Sequence, residues 1–411
     1  MPSAEFRIES LDPARWAESY EVTRVVFGAP VDPATADAEH SVLSDERVLV
    51  AVDPALDGSP IVGSTGSYRF EVTLPGGDTI DAGGVTNVGV LPTHRRRGIF
   101  ARLMARQHDD LAAEGLALAV LNASEAGIYG RLGYGMASRF RSVRLRPQAP
   151  FVGPAPQRRL ELLRSADARH VLPSFYEAAR RRRPGTLSRS DAWWDMFVGP
   201  VRMWKGGGHH EVVLAHPEGD DPGGYAIYTT TSDEADRITV RVREVVATTP
   251  DTHAALWRYL LDIDLADVVE AAVPLDDPLL WRLADPRALG VSTERDFLFA
   301  RVLDAPVALA ARRYRTEVDV VLDVADPFRP DGAAAGRFRL EGGPDGASCS
   351  PTNAEADLAL DVSALGSLLL GGADASVLAA AGRITAARTD RLDGVATAFG
   401  ASPLPFCATN F

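Results

Sequence analysis

Lysine is almost missing from this chain: of its 43 lysines and arginines in 411 residues, only Lys205 is a lysine. The excess of acid leaves a net charge of −13, which argues against a general nucleic-acid binder and favours cationic substrates over anionic ones. With so much Ala, Gly and Pro, the arginine bias reads as the mark of a GC-rich coding sequence, not as a function. The one basic run, Arg180-Arg-Arg-Arg183, precedes Pro184-Gly185 and follows a helical stretch from Pro173 to Ala179, so a basic helix C-terminus is expected. Cysteine is scarce as well. Cys349 and Cys407 cannot make a disulfide framework and have no CxxC neighbours, so both are expected to be ordinary reduced thiols. No apolar run approaches the ~18 residues of a membrane span. The start, Met1-Pro-Ser-Ala-Glu-Phe-Arg7, lacks a signal peptide's apolar segment. A cytoplasmic protein with neither a membrane nor a nucleic-acid partner is expected. No His or Cys grouping suggests a metal or a nucleophile, and His209-His210, after Gly206-Gly-Gly, reads as a loop.

What the chain does have is a pattern over residues 85 to 101: Val85-Thr-Asn-Val88-Gly-Val90-Leu-Pro-Thr-His-Arg95-Arg-Arg-Gly98-Ile-Phe-Ala101. It reads as a β-strand broken at Pro92 that passes through an arginine- and glycine-bearing turn into a helix. A helix N-terminus leaves backbone N–H groups unpaired and carries partial positive charge, so an anion there meets donors and a favourable field. Gly98 removes the Cβ that would hold phosphates away, and Arg95, Arg96 and Arg97 add guanidinium groups suited to phosphate oxygens. The strand residues Val88, Gly89 and Val90 offer backbone groups to an extended, amide-containing ligand. Amides at one end and a pyrophosphate at the other describe coenzyme A. A plain solvated helix start is the competing reading of Arg-Arg-Arg-Gly taken alone.

The segment from Val88 to Gly98 resembles the acetyl-CoA signature of the GNAT acyltransferases, built around Arg-x-x-Gly-x-Gly/Ala, with Phe100 standing where Gly or Ala is commoner. Pro92-Thr-His-Arg-Arg-Arg-Gly98, together with Ala123-Ser-Glu-Ala-Gly-Ile-Tyr129-Gly-Arg-Leu-Gly-Tyr134-Gly, resembles one branch, the Eis (enhanced intracellular survival) N-acetyltransferases of actinobacteria. The resemblance implies acetyl-CoA as co-substrate, a primary amine as acceptor, no metal and a homo-oligomer, hexameric in the family. It implies cofactor contacts at Val88, Gly89, Val90, Arg95, Arg96, Arg97, Gly98, Ile99, Phe100 and Ala101, with Ser124 and Glu125 beside them.

A chain of this length suggests two to three domains. In the first block, 1–147, strands around Arg47–Val52, Pro60–Tyr68 and the motif lead to a helix from Ile99 to Glu114, a buried strand Leu116–Leu121 and a short helix bearing Tyr129, with Ser124 as its cap. That order is a βαβ unit. The second block, 148–290, repeats the logic with strands at Tyr225–Tyr228, Ile238–Val246 and Asp267–Val273 and a helix at Thr252–Leu261. Its turn, Ala247-Thr-Thr-Pro-Asp251, has no glycine and no Arg-x-x-Gly, so a GNAT-like half without cofactor is expected. The third block, 291–411, opens with a strand at Asp296–Val302. It continues with alternating strands at Glu317–Val324 and Gly336–Leu340 and helical runs at Val362–Leu370 and Ala375–Ala381. In the Eis family this region resembles a sterol carrier protein; an ordinary packed core is the plainer expectation. The fold class is therefore mixed α/β (α+β), two tandem GNAT-like domains followed by a sterol-carrier-like domain.

Acyl transfer to an amine needs a group that takes a proton from the amine and one that gives a proton to the leaving thiolate. Tyr129, with an ordinary pKa near 10, is protonated at neutral pH and is the expected acid; Tyr134 is its rival, read as a core or edge residue. The chain's last residues, Pro403-Leu-Pro-Phe-Cys-Ala-Thr-Asn-Phe411, are apolar and stiffened by proline, unlike a fraying tail, and are expected to dock. In the Eis family the carboxylate of a terminal Phe enters the active site, and Phe411 matches it in kind and position. Glu125 is the conventional alternative base. Two departures bear on the amine: Asn87 is polar where better-known members are aromatic or apolar, and Asn410 stands where aminoglycoside-acetylating members carry an acid. A non-catalytic acyl-CoA or lipid carrier is the alternative function.

Overall fold

The computed structural model describes residues 6–28, 33–44, 47–198 and 211–411; Lys205 and the His209-His210 pair lie outside them. The chain forms two units, one made of Met1–Ala137, Leu298–Ala401 and Asn410–Phe411, the other of Ser138–Phe297 and Ser402–Thr409.

In the first unit the chain runs through β1 (Arg7–Ser10), α1 (Trp16–Phe27), α2 (Pro33–Val42), β2 (Val48–Val52), β3 (Ile61–Thr73) and β4 (Thr79–Val90). Then come α3 (Ile99–Ala113), β5 (Leu118–Asn122), α4 (Ala126–Tyr129) and β6 (Gly135–Met136). β2 is buried along its whole length and α3 buries Ile99, Leu103, Met104, Gln107, His108 and Leu111, the i, i+4 stripe of a helix lying on a sheet. β3 and β4 pair antiparallel, whereas β4 and β5 pair parallel across the α3 crossover, as a βαβ connection requires.

The second unit holds β7 (Arg139–Leu145), β8 (Leu160–Leu163), α5 (Ser165–Arg180), α6 (Asp191–Val198), β9 (Glu211–Ala215), β10 (Gly224–Ser232), β11 (Ile238–Ala247), α7 (Pro250–Leu261), β12 (Val268–Pro274) and β13 (Leu289–Asp296). Their sheet has the order β13-β7-β12-β11-β10-β9-β8, with β11 and β12 the parallel pair. Its core gathers Trp257, Leu256, Leu260, Val240, Val269 and Leu279. α5 starts at Ser165 and carries Pro173 inside it, where the sequence places Pro173 at a helix start; Arg180 at its end is buried and held by Glu177.

The strand expected over Asp296–Val302 is two strands. Asp296 ends β13 in the second unit, and β14 (Leu298–Val302), wholly buried, pairs antiparallel with β5 and β6 in the first. The first sheet therefore reads β1-β2-β3-β4-β5-β14-β6. Later in the chain, β15 (Val318–Ala325), β16 (Gly336–Gly343), β17 (Gly346–Pro351), β18 (Leu358–Asp361) and β19 (Ile384–Ala386) make a third sheet, also in the first unit. The helix Val362–Leu369 is buried on every side. Gly135 and Gly366 explain how it packs: a Cβ at Gly135 would stand 1.8 Å from the Ser363 carbonyl oxygen, and one at Gly366 would stand 2.2 Å from that of Ala300. An all-round apolar helix here is a core helix.

Candidate active site

The site begins with a fault in the pairing of β3 and β4. Ser64 pairs with Gly89 and Gly66 with Thr86, so Asn87 and Val88 together oppose Thr65, which is a β-bulge. Asn87 sits at φ 52°, left-handed, a conformation asparagine tolerates, and its carbonyl accepts the Ser64 hydroxyl at 3.2 Å. Bulges bend a strand, and here β4 leaves its parallel neighbour: the β4–β5 pairing stops at Gly84 and Val120, although β4 continues to Val90 and β5 to Asn122. A wedge opens between them.

Beyond the mouth of that wedge, a single turn at Pro92–His94 leads to Gly98, left-handed at φ 79° and standing before α3. No side chain caps α3, whose first N–H groups have no partner within the helix, and a Cβ at Gly98 would meet nothing within 4 Å, so nothing crowds the helix start. A cavity of about 540 Å³ lies there, within the usual size of a ligand pocket, and Val90, Arg95, Arg96, Gly98, Ile99, Phe100 and Ala101 line it. Four residues not expected to touch the cofactor join them: His94, Arg131 and Leu132 from within the two motifs, and Phe328 from outside both.

Arg97, Gly89, Val88, Ser124 and Glu125 do not line the cavity. Arg97 lies over the Phe6 ring at 4.3 Å and 3.9 Å from Asp53, the carboxylate that also meets His94 at 3.3 Å. It braces the turn. Gly89 faces away from the cavity, where a Cβ would press on Val26 of α1 at 3.0 Å. Val88 packs with Phe100 against the cluster that holds Tyr129. Ser124 and Glu125 are exposed on the link to α4, and Ser124 is not the cap of that helix: Glu125 occupies the cap position, with no side-chain bond.

Tyr129 ends α4, buried, its ring edge-on to Phe100 (5.9 Å) and to Tyr134 (5.8 Å). Burial, and then the charge of Glu125, push its phenol up to about 12, so it keeps its proton at neutral pH. Tyr134 is sealed in the core with its hydroxyl 3.0 Å from His108 Nε2, and burial raises it further still.

Phe411 docks on the same unit. Its backbone N–H donates to Asn122 Oδ1 at 3.1 Å, at the end of β5, and its ring packs against Phe70 (5.0 Å) and Tyr68 (6.3 Å). A Cβ on Gly84 would approach the Phe411 ring to 3.2 Å, so the last residue lies where the β4–β5 pairing ends. Residues 402–409 are fixed in the second unit, where Thr409 Oγ1 accepts from Arg189 at 3.1 Å and Arg189 is paired with Glu244 in full burial (2.7 Å).

A further group near the bulge escaped the sequence reading. Glu39 of α2 is buried, and its carboxylate accepts the Asn87 amide. Burial raises its pKa above the ordinary value, the Asn87 bond offsets this only in part, and its charge adds to the burial that keeps Tyr68 protonated. Among the described residues no cation pairs with it. Nothing local in the sequence marks Glu39, because its partner is a bulge residue far along the chain.

The second unit repeats the wedge in outline. β11 and β12 pair from Thr239–Val268 to Val242–Ala271 and then separate around a cavity of about 160 Å³. Its helix, α7, is capped: Thr249 accepts the Thr252 N–H at 3.2 Å, Pro250 follows it, and the Asp221 carboxylate accepts both the Thr249 hydroxyl and that of Thr252. Phe406 and Ala408 line the cavity.

Comparison with known proteins agrees with this geometry. Residues 7–137 and residues 185–302 each match a family described as an Acetyltransferase (GNAT) domain, and residues 305–408 match the Sterol carrier protein domain. An uncharacterized N-acetyltransferase of Streptomyces coelicolor is 38% identical, covering 96% of this chain and 97% of its own. The N-acetyltransferase Eis of Mycobacterium tuberculosis is 34% identical over 95% of each chain. Among solved structures, Eis1 of Mycobacterium abscessus superposes with a TM-score of 0.85 at 32% identity, covering 98% of this chain and all of that one. A GCN5-related N-acetyltransferase from Anabaena variabilis, 18% identical with a TM-score of 0.86 over 99% of this chain and all of that one, shares the fold. No described helix is long and apolar enough to cross a membrane.

Proposed function

This chain belongs to the GNAT N-acetyltransferases of the Eis type, and on that premise we propose that it moves the acetyl group of acetyl-CoA to a primary amine of a small cationic molecule, an aminosugar or a lysine by direct attack in a ternary complex. The observation that carries this reading is the wedge between β4 and β5, with the uncapped, left-handed Gly98 start of α3 beyond its mouth. Arg95 and Arg96 complement the pyrophosphate, and β4 offers its backbone to the pantetheine amides. The Tyr129 hydroxyl gives a proton to the departing thiolate. The Phe411 carboxylate takes one from the attacking amine, and Asn122 fixes its backbone. The buried Glu39 carboxylate supports a cationic acceptor, because a buried charge is costly until a partner arrives. The same reading divides the chain into a catalytic domain over residues 1–147, a second GNAT-like domain over residues 148–290 and a sterol-carrier-like domain over residues 291–411.

The test is release of free thiol from acetyl-CoA with a monoamine, a diamine, an aminosugar and a lysine peptide, run on the chain as it stands and on a version extended beyond Phe411. Turnover with at least one amine is expected, lost on extension because the carboxylate becomes an amide; Phe411→Leu, which keeps the carboxylate, retains substantial activity. Full activity in the extended, folded protein would move the base to Glu125 or Glu39. Acetyl-CoA binding with no turnover on any amine would favour a carrier.

A further inference from the structure

The cofactor cavity has a wall that the GNAT region of the chain does not supply. Phe328 follows β15, inside the stretch that matches a sterol carrier protein, yet it lines the cavity with Gly98, Phe100 and Leu132. Its loop is tightly built within the first unit. Asp326 Oδ1 accepts the backbone N–H of Phe328 (3.2 Å) and of Arg329 (3.1 Å), and fully buried Arg301 grips the same carboxylate at 3.2 Å. Arg329 then reaches Asp109 on α3 at 2.6 Å. One side of the Phe328 ring rests edge-on against His108 at 5.7 Å, and burial with the charges of Arg301 and Arg329 keeps that imidazole neutral. The ring as a whole is only half-buried. A phenylalanine tied down this firmly and left partly open is a platform.

We propose that Phe328 is the stacking surface for the adenine base of acetyl-CoA. The inference rests on the reading of the cavity as the acetyl-CoA site. With the pyrophosphate at Gly98 and the thioester carried along β4 into the wedge, the adenosine is the portion of the ligand left for the outer cavity. Of the two phenylalanines there, each edge-on to one neighbouring ring, Phe100 packs on Tyr129 and so belongs to the thioester end, whereas Phe328 packs on His108 and is the one left for the adenosine. Arg131, on the same rim, suits the phosphate of the ribose. The sterol-carrier-like region thus contributes to recognition of the acyl donor.

The test compares acetyl-CoA with acetyl-phosphopantetheine, which has the thioester and amides but no adenosine. Phe328→Leu keeps an apolar side chain against His108 and removes the π-face; Phe328→Trp keeps the face. Base-on-aromatic stacking predicts that Phe328→Leu raises KM for acetyl-CoA roughly tenfold. KM for the truncated donor stays unchanged, and Phe328→Trp matches the parent with both. Equal losses with both donors, or no loss with acetyl-CoA, would overturn the proposal. Failure of the underlying reading looks different: the Gly98→Val variant, with Phe328 untouched, would then bind acetyl-CoA as tightly as the parent.

Discussion

In the first GNAT-like half, β4 and β5 separate after Gly84 and Val120; in the second, β11 and β12 separate after Val242 and Ala271. Both halves then turn into a helix, and there they differ. α3 begins at a left-handed glycine with no cap, so its N–H groups and dipole are available to an incoming anion. α7 begins at Thr249, which satisfies the helix itself, while Asp221 brings a carboxylate to the place a phosphate would take and is itself held by Arg158. The second wedge is further narrowed by Phe406 and Ala408. Both sheets open beyond their parallel pair, and what differs is the helix start; under the proposed function, that difference decides which opening takes the cofactor.

The comparison can be broken at its chemical end first. Tyr129→Phe removes the hydroxyl of the proposed proton donor and keeps its ring, so kcat should fall on the order of 100-fold to 10,000-fold with acetyl-CoA affinity nearly intact. Because the phenol is held up to about 12, the loss should be constant across neutral and mildly alkaline pH. Parallel kinetics and calorimetry check this, and an undiminished rate would return Tyr129 to a packing role. Next in size is Gly98→Val. A β-branched residue is strained at φ 79° and puts bulk where phosphates approach, so acetyl-CoA binding should weaken by at least tenfold in a protein that still folds. Unchanged affinity would place the cofactor elsewhere.

These two positions were legible because their signals are local: a strand, a proline break, a glycine, a helix, then a tyrosine seven residues past the next strand. The apolar tail announced a docked end in the same way. Arg97 was not legible, since what diverts it from the cavity is Asp53, a residue with no motif of its own. Glu39, Tyr68 and Asn122 come from three separate elements, and Phe328 from a different family match altogether. No spacing rule links them; only the bulge at Asn87 and the pairing of β14 beside β5 do. The segment Asp296–Val302 misled for a related reason, because an unbroken strand-forming stretch does not reveal that two strands share it between two sheets.

Glu39 sharpens the contrast on the substrate side. Glu39→Gln keeps the Asn87 contact geometry and removes the charge, so KM for a diamine should rise on the order of tenfold while a monoamine is little affected. The pH dependence has a definite sign. The folded-state pKa of Glu39 is raised, so the folded protein binds more protons than the unfolded chain above the ordinary value of 4.5, and this group's contribution to stability falls as pH rises through that window. Glu39→Gln should therefore leave the empty protein as stable as the parent at neutral pH, or more so, while the parent's diamine KM climbs as pH drops toward the carboxyl range. A diamine KM indifferent to both the substitution and pH would remove Glu39 from substrate recognition.

The smallest effect tests the second half directly. Thr249→Val deletes the cap of α7 and one partner of Asp221 at nearly constant volume. Loss of an N-cap costs about 0.5 to 2 kcal/mol, which lowers Tm by a few degrees in a unit of this size. Acetyl-CoA affinity should not move, and calorimetry should still count one acetyl-CoA per chain, because the Asp221 carboxylate continues to hold the Thr252 hydroxyl and to repel phosphate at the helix start. Combining Thr249→Val with Asp221→Asn removes that remaining repulsion. Even then a second site is not expected, for the turn into α7 lacks a left-handed glycine and arginines like Arg95 and Arg96, while Phe406 and Ala408 still line the wedge. A stoichiometry of two in the double variant would mean that capping alone had masked a working cofactor site, and the two halves would then differ by one threonine and one aspartate.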